Sequence, residues 1–422
     1  MKKIAILLLS MICFEGVRAQ ETSFTLEQCY QLAVKSHPLS AQNSLLEKSS
    51  QIQQRILDEN NLPTLNLNGQ ATYQSAVTEL PIKIPGVSSP NIPKDQYKVT
   101  LDASQVIYGG GTTMNQKLLE ENNLAISKQN TESDLYRIKE RINQIYFNIL
   151  LSNSTLDILR NNREDLESRL LKIESGVKNG IILPVNLSVL KSEIIKIEQK
   201  RIETQAQKSS LMATLGVLIN QEIPATATFT EPAIVYESGP YTNLRPEYKL
   251  FDLQTKKVDA MKSLTGTKRN PRLFAFGNLG YGRPGLNMFK EDADLFYIVG
   301  AKMTWNFWNW HQTSQEIEIL DLNKQIIENQ KKSFDLNTRA SIQQFVSDIS
   351  KTTQLLASDD ELIALRKEIS ANAASQLENG VITATEYLNE YNAEIQARMT
   401  RSLHEIQLLQ AKAGYQSATG NL

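Results

Sequence analysis

The stretch Pro63-Thr64-Leu65-Asn66-Leu67-Asn68-Gly69-Gln70-Ala71-Thr72-Tyr73 places small or apolar residues at its odd positions and polar ones at its even positions. Alternation of period two is what a half-buried strand shows, because successive side chains point to opposite faces. The stretch has a counterpart. Pro63, Leu65, Gly69 and Tyr73 recur 208 positions later as Pro271, Leu273, Gly277 and Tyr281, and Pro38 recurs as Pro246. Further on, Tyr97, Val99 and Gly180 recur 200 positions later as Tyr297, Val299 and Gly380. The fall from 208 to 200 assigns the first half a loop eight residues longer, between about residues 74 and 96. The 422 residues thus read as two copies of one long unit, residues 20–216 and 241–422, joined by a connector over 217–240.

Working outward, residues 97–104 alternate in the same way, and 272–282 and 296–307 do so more loosely, with Phe274, Phe276 and Ile298 on the polar side. Helices announce themselves by what is missing. No Pro occurs between Pro93 and Pro184 and no Gly between Gly111 and Gly176; the second half has no Pro after Pro284 and no Gly between Gly300 and Gly380. Each would cost about 1 (Gly) to 3 (Pro) kcal/mol in a helix interior, so their exclusion predicts two very long helices. Leu135, Ile142, Ile149, Leu156, Leu170 and Val177 fall on a seven-residue period broken only by Arg163, with Ile138, Ile145, Leu159, Leu166 and Ile173 interleaved. That is the seam of a coiled-coil-like helix, and from Thr112 to Val177 it would run about 100 Å. Shorter helices are expected over 26–60, 184–215 ending at Gly216, and 384–419 ending at Gly420. Each repeat reads helix, strand, loop, strand, long helix, turn, helix.

A net charge of −1 and 41% hydrophobic residues suggest neither disorder nor a polytopic helical membrane protein, and give no reason to propose nucleic acid as a partner. Lys2 and Lys3, the apolar run Ile4 to Cys13 and the step Val17-Arg18-Ala19 read as a signal peptide over 1–19. The mature chain would keep one cysteine, Cys29, so no internal disulfide is expected. No later apolar stretch approaches a spanning helix, so only a closed β-barrel could place this chain in a membrane. Four strands are too few, since the smallest bacterial barrels need about eight; several chains would have to share one.

All three tryptophans sit in Trp305-Asn306-Phe307-Trp308-Asn309-Trp310, at the end of the fourth strand. With Tyr108 of the first half, Trp305, Phe307, Trp308 and Trp310 are candidate membrane-interface aromatics. Asn179-Gly180-Ile181 and Asn379-Gly380-Val381 mark the far ends of the long helices, where glycine supplies a left-handed cap. Thr383 and Glu386 have capping-box spacing; in the first half Pro184 takes the first turn and Asn186 stands where Glu386 stands. His37, His311 and His404 lie far apart with no ligand cluster, and no nucleophile elbow or phosphate-binding loop occurs. No metal, cofactor or enzymatic chemistry is expected.

With these parts in order, the chain resembles the outer-membrane efflux family, the TolC-type channels, over essentially its whole mature length. The residues carrying the resemblance are Phe24-Thr25-Leu26-Glu27-Gln28, Pro63 and Pro271, the junction Gln105 to Gly111, the two Asn-Gly turns, and the closing stretches Leu211 to Gly216 and Tyr415 to Gly420. The resemblance implies a mainly α mixed fold that forms a homotrimer: a twelve-stranded transmembrane β-barrel joined to a long twelve-helix periplasmic α-barrel. It implies the outer membrane of a Gram-negative bacterium as location, outer-membrane lipid around the barrel, and passive conduction in a tripartite efflux or type I secretion system. A periplasmic adaptor would dock at Asn179, Gly180, Ile181, Asn379, Gly380 and Val381, and an inner-membrane transporter of RND or ABC type would supply the energy. Family channels narrow at acidic rings; of the constriction candidates here, Glu386 matches the acidic position, Asn389 stands where a second acid is often found, Glu390 adds a nearby acid, and Asn186 replaces the acidic partner of the family's charged lock. Leu377 and Ile382 stand where a tyrosine and an arginine can form a charged lock. Closure by apolar packing of Val177, Ile181, Leu377, Val381 and Ile382 is therefore expected instead.

The competing reading is a secreted or surface coiled-coil structural protein or adhesin. A periplasmic adaptor is disfavoured, because two helical hairpins here each follow a strand pair. The exported substrate is not written in the sequence.

Overall fold

The computed structural model describes residues 23–78, 92–237, 239, 242–290 and 292–422; the expected signal peptide and most of the long first-half loop lie outside them. Elements follow in the order β1 (Ser23–Phe24), α1 (Leu26–Ser36), α2 (Pro38–Glu59), β2 (Thr64–Tyr73), β3 (Asp95–Tyr108), α3 (Thr112–Lys178) and α4 (Pro184–Ile219). Then come β4 (Thr228–Phe229), α5 (Pro246–Gly266), β5 (Arg272–Arg283), β6 (Asp294–Thr304), α6 (Gln312–Glu378) and α7 (Ala384–Thr419). The chain is mainly helical with few strands, as expected. Helices α3 and α6 have 67 residues each, and α4 and α7 have 36 each.

Three boundaries differ from expectation. The segment 26–60 is two helices, because His37 precedes a proline and adopts extended backbone (ψ 135°) that ends α1. Gly216 lies inside α4, whose cap is Asn220 in the left-handed conformation (φ 52°). The connector contains β4, which pairs in parallel with β1 through Ser23↔Thr228 and Phe24↔Phe229. Gly420 does cap α7, at φ 87°.

Two compact units form, and each draws on both sequence halves. The first contains residues 131–246 and 334–422 with the N-terminal segment up to Ala41. One of its cores gathers Cys29, Tyr30, Ile142, Tyr146, Ile149, Leu215 and Ile219 around the β1–β4 pair. Tyr146 packs edge-on against Phe229, and its hydroxyl lies 2.8 Å from the Phe24 carbonyl and 2.7 Å from that of Thr230. A second core gathers Leu159, Leu166, Ile173, Leu190, Leu377, Tyr387 and Tyr391. The heptad seam thus supplies both cores. Arg163, its exception, reaches out instead, to Glu167 at 2.8 Å and to Glu198 of α4 at 3.0 Å.

The second unit contains residues 42–130 and 247–333. It holds one antiparallel sheet in the order β2-β3-β5-β6. Leu65 faces Ala103, Ala103 faces Gly277, and Gly277 faces Val299. The odd-numbered residues therefore share one face across all four strands, and the even-numbered ones share the other, up to Val106 of β3, beyond which a register shift sets Tyr108 opposite Leu273.

Candidate functional site

Two regions carry the residues singled out above, one at each unit. In the first unit, α3 and α6 end in identical turns. The Ile181 N–H donates to the Gly176 carbonyl (2.9 Å) and Gly180 N–H to Val177 (3.1 Å); Val381 donates to Gln376 (2.9 Å) and Gly380 to Leu377 (3.0 Å). This paired pattern closes a helix only if the residue after the cap is left-handed, and Gly180 and Gly380 take φ of 75° and 72°. The two turns touch: a Cβ on Gly380 would lie 3.2 Å from the Ile181 carbonyl oxygen. Asn179 and Asn379 are exposed, as are Ile181 and Val381, whereas Ile182 and Leu377 turn into the core. Val177 and Ile382 pack against the rim of that core.

Glu386 completes the capping box. Its carboxylate accepts from Thr383 N–H (2.8 Å) and from the Thr383 hydroxyl (2.9 Å), while Thr383 Oγ1 accepts from Glu386 N–H (3.3 Å). Those hydrogen bonds, the backbone one foremost, hold its pKa below the usual glutamate range. Glu386 and Asn389 are exposed. Glu390 is half-buried and pairs with Arg366 at 3.1 Å. Asn186 behaves differently from its sequence counterpart. It is buried, and its amide oxygen accepts from the N–H of Ala384, the first residue of α7, at 2.9 Å.

Beneath the turns lies a cluster that sequence reasoning missed. Arg169 stacks on the fully buried Tyr387 ring (5.3 Å), pairs with Asp165 (3.1 Å) and approaches Glu378 (3.6 Å), which also holds Lys172 at 2.9 Å. Tyr387 stacks on Tyr391, and burial pushes both phenols above their ordinary range. The signal was present in the sequence as Tyr387-x-x-x-Tyr391, four residues apart on one helix face.

The second region is the junction between the sheet and α6. Trp305, Phe307, Trp308, Trp310 and, at the first-half junction, Tyr108 are all exposed. Trp305 donates its indole N–H to the Arg269 carbonyl at 3.0 Å, and Trp308 and Trp310 meet edge to face at 5.6 Å. Trp310 and His311 occupy left-handed backbone (φ 52° and 65°), at the positions where the first repeat has Gly110 and Gly111 (φ 66° and 85°). A non-glycine residue pays roughly 1–2 kcal/mol for that conformation. The second repeat thus spends stability to place an indole where the first has only hydrogen.

The odd-numbered face of the sheet is apolar and uncovered among the described residues. Leu65, Leu67, Tyr73, Val99, Leu279, Tyr281, Leu295, Tyr297, Val299 and Met303 are all exposed, Leu67 at 74% and Val299 at 73%. Both edge strands, β2 and β6, have one side unpaired among the described residues. No described helix is long and apolar enough to cross a membrane.

No family model matches the chain, and no curated protein matches it. Among solved structures it is similar to CusC, described through transmembrane channel formation, with 13% identity, a TM-score of 0.72 and coverage of 93% of this chain and 91% of that one. It is similar to the outer membrane protein VceC of Vibrio cholerae at 13% identity and TM-score 0.69, covering 94% of this chain and 96% of that one. The open state of the MtrE outer membrane channel of Neisseria gonorrhoeae aligns at 15% identity and TM-score 0.67, covering 94% and 88%. The chain has the fold of these outer-membrane channels, which is the fold that its resemblance to the TolC-type family implied.

Proposed function

We propose that this protein is a passive exit duct: the outer-membrane channel of a tripartite efflux or type I secretion system. One observation carries the reading. A four-stranded sheet with a bare apolar face and two open edges is neither soluble nor closed on its own. Three copies would supply twelve strands, enough for a barrel whose odd-numbered face meets lipid and whose even-numbered face lines the lumen. The exposed Trp305, Phe307, Trp308 and Trp310 then sit where strands hand over to long helices, at headgroup level. The long helices α3 and α6 continue as a twelve-helix tunnel with α4, α7 and the shorter helices.

At the helix tips, Ile181 and Val381 offer exposed apolar side chains for a periplasmic adaptor, which in turn engages an RND- or ABC-type inner-membrane transporter. Glu386 and Asn389 are free to ring the entrance, with Glu390 behind them on Arg366. Asn186, being buried and engaged by α7, is not assigned to the constriction. The alternative, a surface adhesin, leaves the sheet edges and their apolar face without an explanation.

Planar-bilayer recording of the detergent-extracted protein tests the reading. Discrete channels are expected, and Glu386→Gln should shift their cation selectivity. A water-soluble protein that forms no channels would contradict the duct; unaltered selectivity would remove Glu386 from the entrance.

A further inference from the structure

The even-numbered face of the sheet is not uniformly polar. Toward β2 and β3 it is: Asp102 accepts hydrogen bonds from the amides of Asn68 and Asn278 and from the Thr100 hydroxyl. Toward β6 it becomes aromatic. Phe276 lies opposite Gly300 and Phe296 opposite Gly280, in directly facing register. A Cβ on Gly300 would fall 2.9 Å from Phe276 Cζ, and one on Gly280 would clash with the far end of the Phe296 ring. Each phenyl therefore reaches across to a glycine, a cross-strand arrangement that shields the bare backbone. This accounts for Phe276 on the polar side; Phe274 and Ile298 face Lys302 and Asn278 and have no such glycine partner.

Where Pro284-Gly285-Leu286 pass over this face, a cleft of about 330 Å³ forms between Leu286, Phe296 and Ile298 on one side and Gln70, Gln96 and Lys98 on the other. Its volume is within the range of small-molecule sites, about 300–1,000 Å³. Lys98 faces the Asp102 charge at longer than ion-pair distance. Asp95 pairs with Arg283 (3.3 Å), Asp294 with Lys290 (2.9 Å), and Asp102 is engaged by its hydrogen bonds. No described carboxylate lies within ion-pair distance of Lys98, and the Gln70 and Gln96 side-chain amides make no hydrogen bond to described residues.

We propose that this cleft binds small organic anions with an apolar ring body, the acid group on Lys98 and the two amides, the ring along Phe296, Ile298 and Leu286. The proposal rests on the duct reading for its meaning: the cleft then lies on the lumen wall, and amphipathic anions are a class of solute that the duct carries. A point charge with flanking amide donors suits a carboxylate or sulfonate, and aromatic walls suit a ring.

The probe is 1-naphthalenesulfonate, added to the barrel side of channels in planar bilayers. Concentration-dependent current interruptions are expected, weakened roughly tenfold by Lys98→Gln, the scale of one charge-assisted hydrogen bond, and several-fold by Phe296→Leu. Methanesulfonate and naphthalenemethanol, lacking ring or charge, should block far less. Equal block of wild type and K98Q, or equal block by methanesulfonate, would overturn the proposal. Equilibrium dialysis of the same probe with detergent-solubilised wild type and K98Q separates the two readings. Weaker binding to K98Q without channels would keep the cleft and overturn the duct; equal binding would overturn the cleft.

Discussion

Asn186 and Glu386 stand 200 positions apart at equivalent places in the two repeats, and they do opposite things. Glu386 caps its own helix, whereas Asn186 reaches across to cap the other one through Ala384. The caps differ: α7 has Thr383 at its N-cap, whereas α4 has Leu183, which offers no side-chain oxygen, so no capping box forms there and Asn186 bonds to the neighbouring helix instead. Asn186→Ala should cost about 1–2 kcal/mol in denaturant unfolding, because it strips a buried helix end of its acceptor; an unchanged midpoint would show the cap to be idle. Glu386 adds a pH dependence. Its folded pKa is depressed, so the cap contributes above the ordinary glutamate range and is lost as pH falls through the lower, folded value. Exchange protection of the amides over 383–388 should therefore hold at neutral pH and fall in acid, and Glu386→Gln should flatten that profile. The capping box was legible in the sequence because its partners are three residues apart. The Asn186 contact was not, since its partner is 198 residues away.

At the scale of elements, the long helices were the most legible feature. Excluding Gly and Pro from residues 112–175 leaves the chain little alternative to α-helix, and α3 starts and ends within a residue or so of its expected bounds. What the sequence hid were features too local or too short to carry a period. The β1–β4 pair has two residues per strand, below the length at which alternation can be seen. Gly216 looked like a helix stop, yet the left-handed cap falls on Asn220. The aromatic side of the even sheet face was visible as broken alternation, but its reason, Phe over Gly in register, needs the pairing of β5 with β6. The two faces make a directional prediction. Val99→Arg, on the exposed apolar face, should cost about 2–4 kcal/mol if it meets the middle of a bilayer. Asn66→Arg, on the opposite face, should be nearly neutral. Yield in outer-membrane extracts reports both; equal yields would contradict a lipid-facing odd side.

At the scale of the whole molecule, a closed barrel has one requirement: β2 and β6 must find partners in other copies of the chain. The chemistry to test it is convenient. Cys29 is fully buried, and burial pushes its thiol up to about 12, so it stays unreactive in the folded protein. The double variant Leu67→Cys, Val299→Cys puts one thiol on each open edge strand. Treated with a short bis-maleimide in detergent extract, it should give a ladder that stops at three chains, because a third link closes the ring. Persistence of the monomer, or a ladder running past three, would contradict a barrel shared by three copies.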